Sequence, residues 1–555
     1  MQLISNIVQF RPTINANLRK LFRPLSLVVI TICGLISFPV LLVVGSLWQP
    51  DPETWKMLWD TKLPGLGWNT LRLGAGVGIG TFLLGTTLAW IVVMYEFPGK
   101  RFFEWSLLLP LSMPGYVIGF VYISAFEYGS VVPEILEGCF GIKGWYPETS
   151  GALWVITVMT LVLYPYVYLM SKTAFMEQNL TLMEAARGLG QNKRQLFWRV
   201  AIPLARPSIF AGVSLAVMES LADFGTVGVF SYDTFTTAIY DVWFGLYDRQ
   251  VATQLAGLLL LLVFLVLWFE TSMKKRSRYY QVKGTRRTLS PVRPNKPIQL
   301  MLFSYPSIIL FFAFFAPFSI LVHWTINSEN GFLSDNIVQS AFNSFSLGAA
   351  AGIVVICIAL ILAYGKRLEP GKTVSSMVRV ATSGYAIPGS VVAVGILIPL
   401  SWLDHGLNNI FSGLFGITLG LILTGSLVGI MFAYVVRFLT MGFNSINSSL
   451  ERITPSMDMA GRILGENRFG VLRRVHLSLL KPGLITGFIL VFIEVMKEMP
   501  ATLLMRPFGF ETLATRIWQL TSESLAEEAA LPSIIIVIMG LIPVMLLIRL
   551  SNNKR

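Results

Sequence analysis

The chain has 555 residues, 54% of them hydrophobic and 13% charged, with 43 Lys and Arg against 30 Asp and Glu for a formal net charge of +13. A soluble domain carries about 25% charged residues, so this composition excludes a soluble enzyme, a disordered scaffold and a collagen-like fibre, and long unbroken apolar runs argue against a transmembrane β-barrel. The 3 cysteines and 3 histidines are scattered, which gives no disulfide framework, no zinc or haem spacing and no expected stable metal site.

A bilayer core about 30 Å thick needs roughly 20 apolar residues per helix. The chain offers about twelve such runs, near 26–48, 68–95, 102–127, 152–171, 206–228 and 252–271, then 300–324, 340–364, 375–402, 412–437, 481–502 and 532–550. The first run is too long for a signal-peptide core and is expected to stay in the mature protein. The expected fold is therefore an all-α polytopic membrane protein of about 12 transmembrane helices. Basic residues near both ends (Arg11, Arg19, Lys20, Arg23; Arg549, Lys554, Arg555) and in alternate loops place both termini in the cytoplasm by the positive-inside rule. The same topology accounts for the basic excess, and no nucleic-acid partner is expected. The partner is the lipid bilayer.

Residues 273–299 are rich in Lys and Arg and contain no acid, as suits a solvated cytoplasmic linker near anionic lipid. They separate a first block, 1–272, from a second, 300–555. The blocks repeat: Asn69-Thr-Leu-Arg-Leu-Gly74 matches Asn343-Ser-Phe-Ser-Leu-Gly348, and Pro114-Gly115 matches Pro388-Gly389. Pro207, Glu219 and Trp243 likewise match Pro482, Glu494 and Trp518. Both copies keep one orientation, so the chain reads as two parallel six-helix repeats about an axis along the membrane normal, a transport architecture.

The loop before the fifth run holds Glu184-Ala185-Ala186-Arg187-Gly188-Leu189-Gly190 and, after nine residues, Val200-Ala-Ile-Pro203. Glu184 suits a helix N-terminus and Lys193, Arg194 and Arg199 the C-terminal side. Gly190 permits a turn, and Pro203 and Pro207 mark re-entry into the membrane. Read from its residues alone, this is either a specialised segment or an ordinary basic loop. The pattern resembles the EAA loop of binding-protein-dependent ABC importer permeases, whose fold is of the type I importer kind. The resemblance implies a coupling helix seated on an ATPase subunit. A second copy keeps Arg462 and Gly465, replaces the glutamate by Met459 beside Asp458, and has Ser478 for the proline. Two such loops imply an ATPase dimer at the cytoplasmic face, with ATP and Mg bound by that partner and no cofactor or catalytic residue in this chain. Gly365 to Thr373 misses the P-loop spacing by one residue. The glycine run Gly74, Gly76, Gly78, Gly80 suits close helix packing.

Glu219 and Asp223, like Glu494 and Glu498, are four apart and are expected on one helical face. An intramembrane carboxylate costs about 2.5–3.5 kcal/mol unless it meets water or a partner. The four either line a translocation path, as hard oxygen ligands for a hard cation, or face the outer vestibule or pair with Lys497 and serve helix packing. The stretches Glu219–Gly228, Glu494–Leu503 and Arg506–Trp518 resemble the fused permeases of ferric-iron ABC importers. That resemblance implies a periplasmic ferric-binding protein as donor and a bacterial inner membrane location. Thiamine and phosphonate permeases share much of the pattern, and an ion-coupled secondary transporter is the rival class. The outer loops 128–150, 229–250 and 503–531, with acids such as Glu134, Glu137 and Asp241, are expected to dock the donor.

Overall fold

The computed structural model describes residues 24–48, 52–127, 129–142, 144–145, 147–178, 186, 188–275, 291–328, 335–369, 371–454, 456–457, 459, 463 and 470–552. In chain order its main helices begin with α1 (Pro24–Ser46), α2 (Leu63–Met94), α3 (Gly115–Ala125), α4 (Val131–Phe140), α5 (Ala152–Met176), α6 (Ile202–Ala222), α7 (Gly225–Val229) and α8 (Arg249–Lys275). They continue with α9 (Lys296–Asn327), α10 (Asp335–Leu368), α11 (Gly389–Phe415), α12 (Leu427–Leu450), α13 (Leu477–Lys497), α14 (Pro500–Met505), α15 (Leu513–Ser522) and α16 (Ala526–Asn552). Among the described residues the fold is all-helical, and strand-like pairing is confined to one bridge, Tyr95 with Val292. There the chain leaving the basic linker returns to the end of α2: the Glu96 N–H donates to the Val292 carbonyl at 3.0 Å, and the Val292 N–H to the Met94 carbonyl at 2.9 Å.

Among the described residues, 10 helices are long and apolar enough to cross a bilayer, or 11 if Lys100–Ser112 and Gly115–Ala125 form one span. About twelve straight runs were expected, and the differences have local causes. The run at 102–127 is bent by 87°. Pro110 sits in a 3₁₀ turn and Pro114 is extended, with φ −60° and ψ 146°, and a proline offers no N–H to carry a helix across. The run at 375–402 is likewise interrupted: a helix at Lys372–Ala381, a short turn, then α11 from the Pro388-Gly389 pair. α11 continues to Phe415, where Gly416 turns the chain at φ 66°. The next span therefore starts at Leu427 rather than near 412, capped by the Ser426 hydroxyl, which accepts from the Gly429 N–H. The run expected at 532–550 lies in α16.

Contacts divide the chain into two units that are discontinuous in sequence. One comprises Met1–Gln49 with Gln339–Thr512, the other Pro50–Val338 with Leu513–Arg555. The repeats read at 1–272 and 300–555 describe the sequence. The packing units instead pair α1 with α10 to α14, and α2 to α8 with α9, α15 and α16.

The unit built on Pro50–Val338 centres on α2, α5 and α6, and glycine sets its spacing. Gly76 and Gly80 of α2 face Ile156 and Thr160 of α5, whereas Gly74 faces Leu221 and Val217 of α6 and Gly78 faces Val217 and Val213. The expected close packing is thus present on two faces of one helix. At Gly85 an added Cβ would lie 2.8 Å from the Tyr168 backbone nitrogen, and at Gly212 it would lie 2.9 Å from the Val167 Cα. Lipid tails are as apolar as leucine, so such van der Waals fit is what holds helices together in a bilayer. The other unit repeats the register. Gly348 and Gly352 of α10 face Phe492 and Phe488 of α13, and Gly487 of α13 faces Ser445 of α12. There α1 lies against α11, where a Cβ at Gly395 would come 2.8 Å from the Pro39 carbonyl oxygen.

Candidate functional site: coupling segments and broken spans

Of the residues assigned to the coupling loops, Glu184, Ala185, Arg187, Asp458, Arg462 and Gly465 lie outside the described residues. Ala186 is buried, and its carbonyl accepts from the Gln191 N–H at 3.1 Å. Gly190 takes φ 81°, the left-handed turn that only glycine adopts without strain. Asn192 and Gln195 then exchange side chain to backbone hydrogen bonds at 2.9 and 3.1 Å, a reciprocal cap that starts the helix Lys193–Leu196. Pro203 is the second residue of α6, which runs on from a preceding helical turn, since Ala201 is itself helical at φ −65° and ψ −50°.

A feature absent from the sequence reading follows directly. A π-helical turn spans Phe197–Ala201 before α6, and another spans Val471–His476 before α13. Such turns are rare and recur at functional positions. Both copies have one although Ser478 stands where Pro203 does, so that proline is not its cause. In the first copy the turn is tied to the core: Phe197 packs on Trp90 at 5.1 Å, and Trp90 on Phe175 at 5.4 Å.

The carboxylates fall into two classes. Glu219 and Glu494 sit part-way exposed inside α6 and α13. Asp223 and Glu498 do not share their helical faces, because each is the residue at which the span stops: α6 ends at Ala222 with Asp223 at ψ 132°, and α13 at Lys497 with Glu498 at ψ 113°. The carboxylates explain the break. Asp223 Oδ1 accepts from the backbone N–H of Thr226 at 2.7 Å and of Val227 at 3.3 Å, while Oδ2 accepts from the Thr226 hydroxyl at 2.9 Å. Glu498 Oε1 accepts from the Ala501 N–H at 3.0 Å. Each thus satisfies an orphan donor of the short helix that follows, α7 or α14.

Glu498 carries a further partner. Arg437, within α12, reaches Oε2 through Nε at 3.2 Å and donates from Nη1 to Oε1 at 3.4 Å. The pair is nearly buried, with side chains 13% and 3% exposed. Sequence reasoning missed Arg437, although a charge in the middle of an apolar run is itself a signal. It also missed why Pro114-Gly115 and Pro388-Gly389 repeat. A Cβ at Gly115 would overlap the Thr226 hydroxyl, and one at Gly389 would overlap the Arg437 and Glu498 side chains. In each unit the first residue of a broken span therefore abuts the cap of another.

Two more polar anchors tie loops and helix ends together, and one of them recurs in both units. The Asn69 side chain donates to the Asp233 carbonyl at 3.0 Å and that of Asn343 to the Glu511 carbonyl at 2.9 Å, so this repeated asparagine tethers a loop in each unit. Arg367, in the basic turn that mimics a P-loop, donates to the Leu450 and Ile453 carbonyls at 2.8 and 3.0 Å. It closes the C-terminal end of α12. Among the described residues, no group of three or more His, Cys, Asp or Glu is placed to hold a metal ion.

Residues 76–279 match the family described as the binding-protein-dependent transport system inner membrane component. The chain is 26% identical over 496 residues to the Fe(3+)-transport system permease protein of Haemophilus influenzae, covering 89% of this chain and 91% of that one. The sulfate transport system permease of Escherichia coli is 26% identical over 251 residues, 44% of this chain and 89% of its own length. The molybdenum transport system permease of the same organism is 29% identical over 180 residues, 32% of this chain and 72% of its own. A many-spanned helical fold, glycine-packed repeats and these likenesses agree: residues 76–279 carry a binding-protein-dependent transport permease component, and over most of its length the chain resembles an Fe(3+)-transport permease.

Proposed function

We propose that this permease admits ferric iron, released to it by a periplasmic binding protein, through the inner membrane of a bacterium in an ATP-driven importer. One observation carries the cargo: likeness to the Fe(3+) permease runs across both repeats, 89% of the chain, whereas the sulfate and molybdenum permeases align with 44% and 32% of it. Those oxyanion permeases are the reason for a second reading, in which the cargo is a tetrahedral oxyanion.

In the mechanism we infer, an ATPase dimer binds Mg and ATP and grips the loops around Glu184–Gly190 and Asp458–Gly465 with both termini on its side. Closure of the dimer pushes on α6 and α13 through the π-helical turns, and the spans move between outward and inward access. Glu219 and Glu494 face the path as hard oxygen groups. Asp223 and Glu498 act beside them by fixing where each span breaks. Weak binding suits this role, since a conducted ion must leave as readily as it enters.

Uptake of labelled ferric iron, sulfate and molybdate by cells with and without the chain tests the cargo. Iron uptake that depends on the chain, with neither oxyanion affected, is the expected result. Chain-dependent sulfate or molybdate uptake with unchanged iron uptake would reject it. Replacing Glu219 and Glu494 together by alanine is expected to reduce uptake at equal protein level, and wild-type uptake would remove both from the path.

A further inference from the structure

α4 is a ten-residue helix with no buried residue. It lies between α3 and α5, at the end of α5 opposite the coupling segment. Its apolar residues Val131, Val132, Ile135, Leu136, Cys139 and Phe140 recur at intervals of four and so form one face. Glu134 and Glu137 lie on the other. Gly141 ends the helix at φ 67°, accepting no side chain without strain.

The same element recurs in the other unit. Glu134-Ile-Leu-Glu-Gly-Cys-Phe-Gly-Ile142 aligns with Asn409-Ile-Phe-Ser-Gly-Leu-Phe-Gly-Ile417 at the offset of the repeat. Gly416 takes φ 66°, as Gly141 does. Ile135 and Phe140 are 53% and 71% exposed, and Ile410 and Phe415 are 56% and 65% exposed. What the copies share is the exposed apolar set and the terminal glycine. The acids are not shared, since Asn409 and Ser412 replace Glu134 and Glu137. A protein partner recruited by acidic charge would find that charge in one copy only.

The second copy continues a membrane-spanning helix. It is the last part of α11, and Leu403, Leu407, Ile410 and Leu414 continue as one stripe from the membrane-spanning part of the helix. At 27 residues, α11 is about 40 Å long against a hydrocarbon core of about 30 Å, so its end emerges at the bilayer surface with that stripe still facing outward. Exposed Trp145 and Trp402 flank the two elements, the residue type that favours the headgroup level. We propose that α4 and the end of α11 are matched interfacial anchors, each lying with its apolar face in the headgroup and acyl boundary of the leaflet away from the coupling loops.

Spin labels test this in the full chain in phosphatidylethanolamine and phosphatidylglycerol nanodiscs. Cys33 is buried, so Cys357→Ala leaves Cys139 as the labelled site on the apolar face of α4, and Leu414→Cys in a Cys139→Ala chain reports its equivalent. Glu137→Cys and Ser412→Cys report the polar faces. Labels at 139 and 414 are expected to collide severalfold more with oxygen, and severalfold less with an aqueous nickel chelate, than labels at 137 and 412. Phe140→Lys and Phe415→Lys provide a second check and should raise nickel access at the neighbouring apolar-face label. Equal nickel access on both faces overturns the proposal. So does shielding of 139 and 414 that appears only on adding a substrate-loaded binding protein, which would assign the face to that protein.

Discussion

At the scale of single residues, the Arg437–Glu498 pair and the Asp223 cap make different demands on the fold. Glu498 is buried, and removing its counter-charge leaves it uncompensated where water does not reach. Losing one partner of a buried pair costs about 3–5 kcal/mol, whereas replacing both is often neutral. Arg437→Met is therefore expected to lower the melting temperature of the detergent-solubilised protein sharply. Arg437→Met with Glu498→Gln should recover most of the loss, because glutamine keeps an oxygen for the Ala501 N–H. A double variant no better than the single would show that the pair does not set local stability. Asp223→Ala removes a cap, worth about 0.5–2 kcal/mol, and Asp223→Asn should retain part of it, since an amide oxygen still accepts from Thr226. If alanine and asparagine melt together, capping is not what holds the break.

At the scale of elements, the glycines of α2 differ in what they touch, and the difference is measurable. A Cβ at Gly80 would meet only side-chain atoms, those of Thr160, while a Cβ at Gly85 would also meet the backbone nitrogen of Tyr168 at 2.8 Å. A side chain yields cheaply and a helix backbone does not, because packed interiors tolerate little added volume. Gly85→Ala is expected to cost about 1–3 kcal/mol and to reduce folded yield more than Gly80→Ala. The reverse order, read by size-exclusion recovery and melting temperature, would refute this account of the interface. The glycine spacing itself was legible in the sequence, as were most spans, because both depend on composition over a window. The bend before α3 and the ends of α6 and α13 were not. Hydropathy records how apolar a run is and carries no direction, so the 102–127 run looked continuous through Pro110 and Pro114. Likewise the four-residue spacing of Glu219 and Asp223 implied a shared face only while the helix was assumed to continue. The cap that ends it is made by Thr226 and Val227, three and four residues on, and only the folded chain reveals that Asp223 turns forward to them.

At the scale of the whole molecule, each packing unit draws helices from both sides of the basic linker. α1 comes from the N-terminal side yet buries Val29, Cys33, Ile36 and Val43 in the unit built on Gln339–Thr512, and its Ser26 hydroxyl donates to Glu369 there. Conversely α9, α15 and α16 follow the linker and belong with α2 to α8: Phe303 packs on Phe103 at 5.6 Å, and Trp518 on Phe224 at 5.0 Å. A chain cut within residues 276–290 therefore yields two pieces, neither of which holds a complete unit. Lipid can cover the vacated apolar surface at little cost, so what is lost is close packing and polar contact rather than burial. The piece 300–555 made alone is expected to be recovered in low yield and to melt well below the intact chain. Co-expression of 1–272 with 300–555 should restore both, with the pieces copurifying without a covalent bond. A piece that folds alone with the stability of the whole would mean that α1 merely rests on its unit, and that the six-helix repeat of the sequence is also the unit that folds.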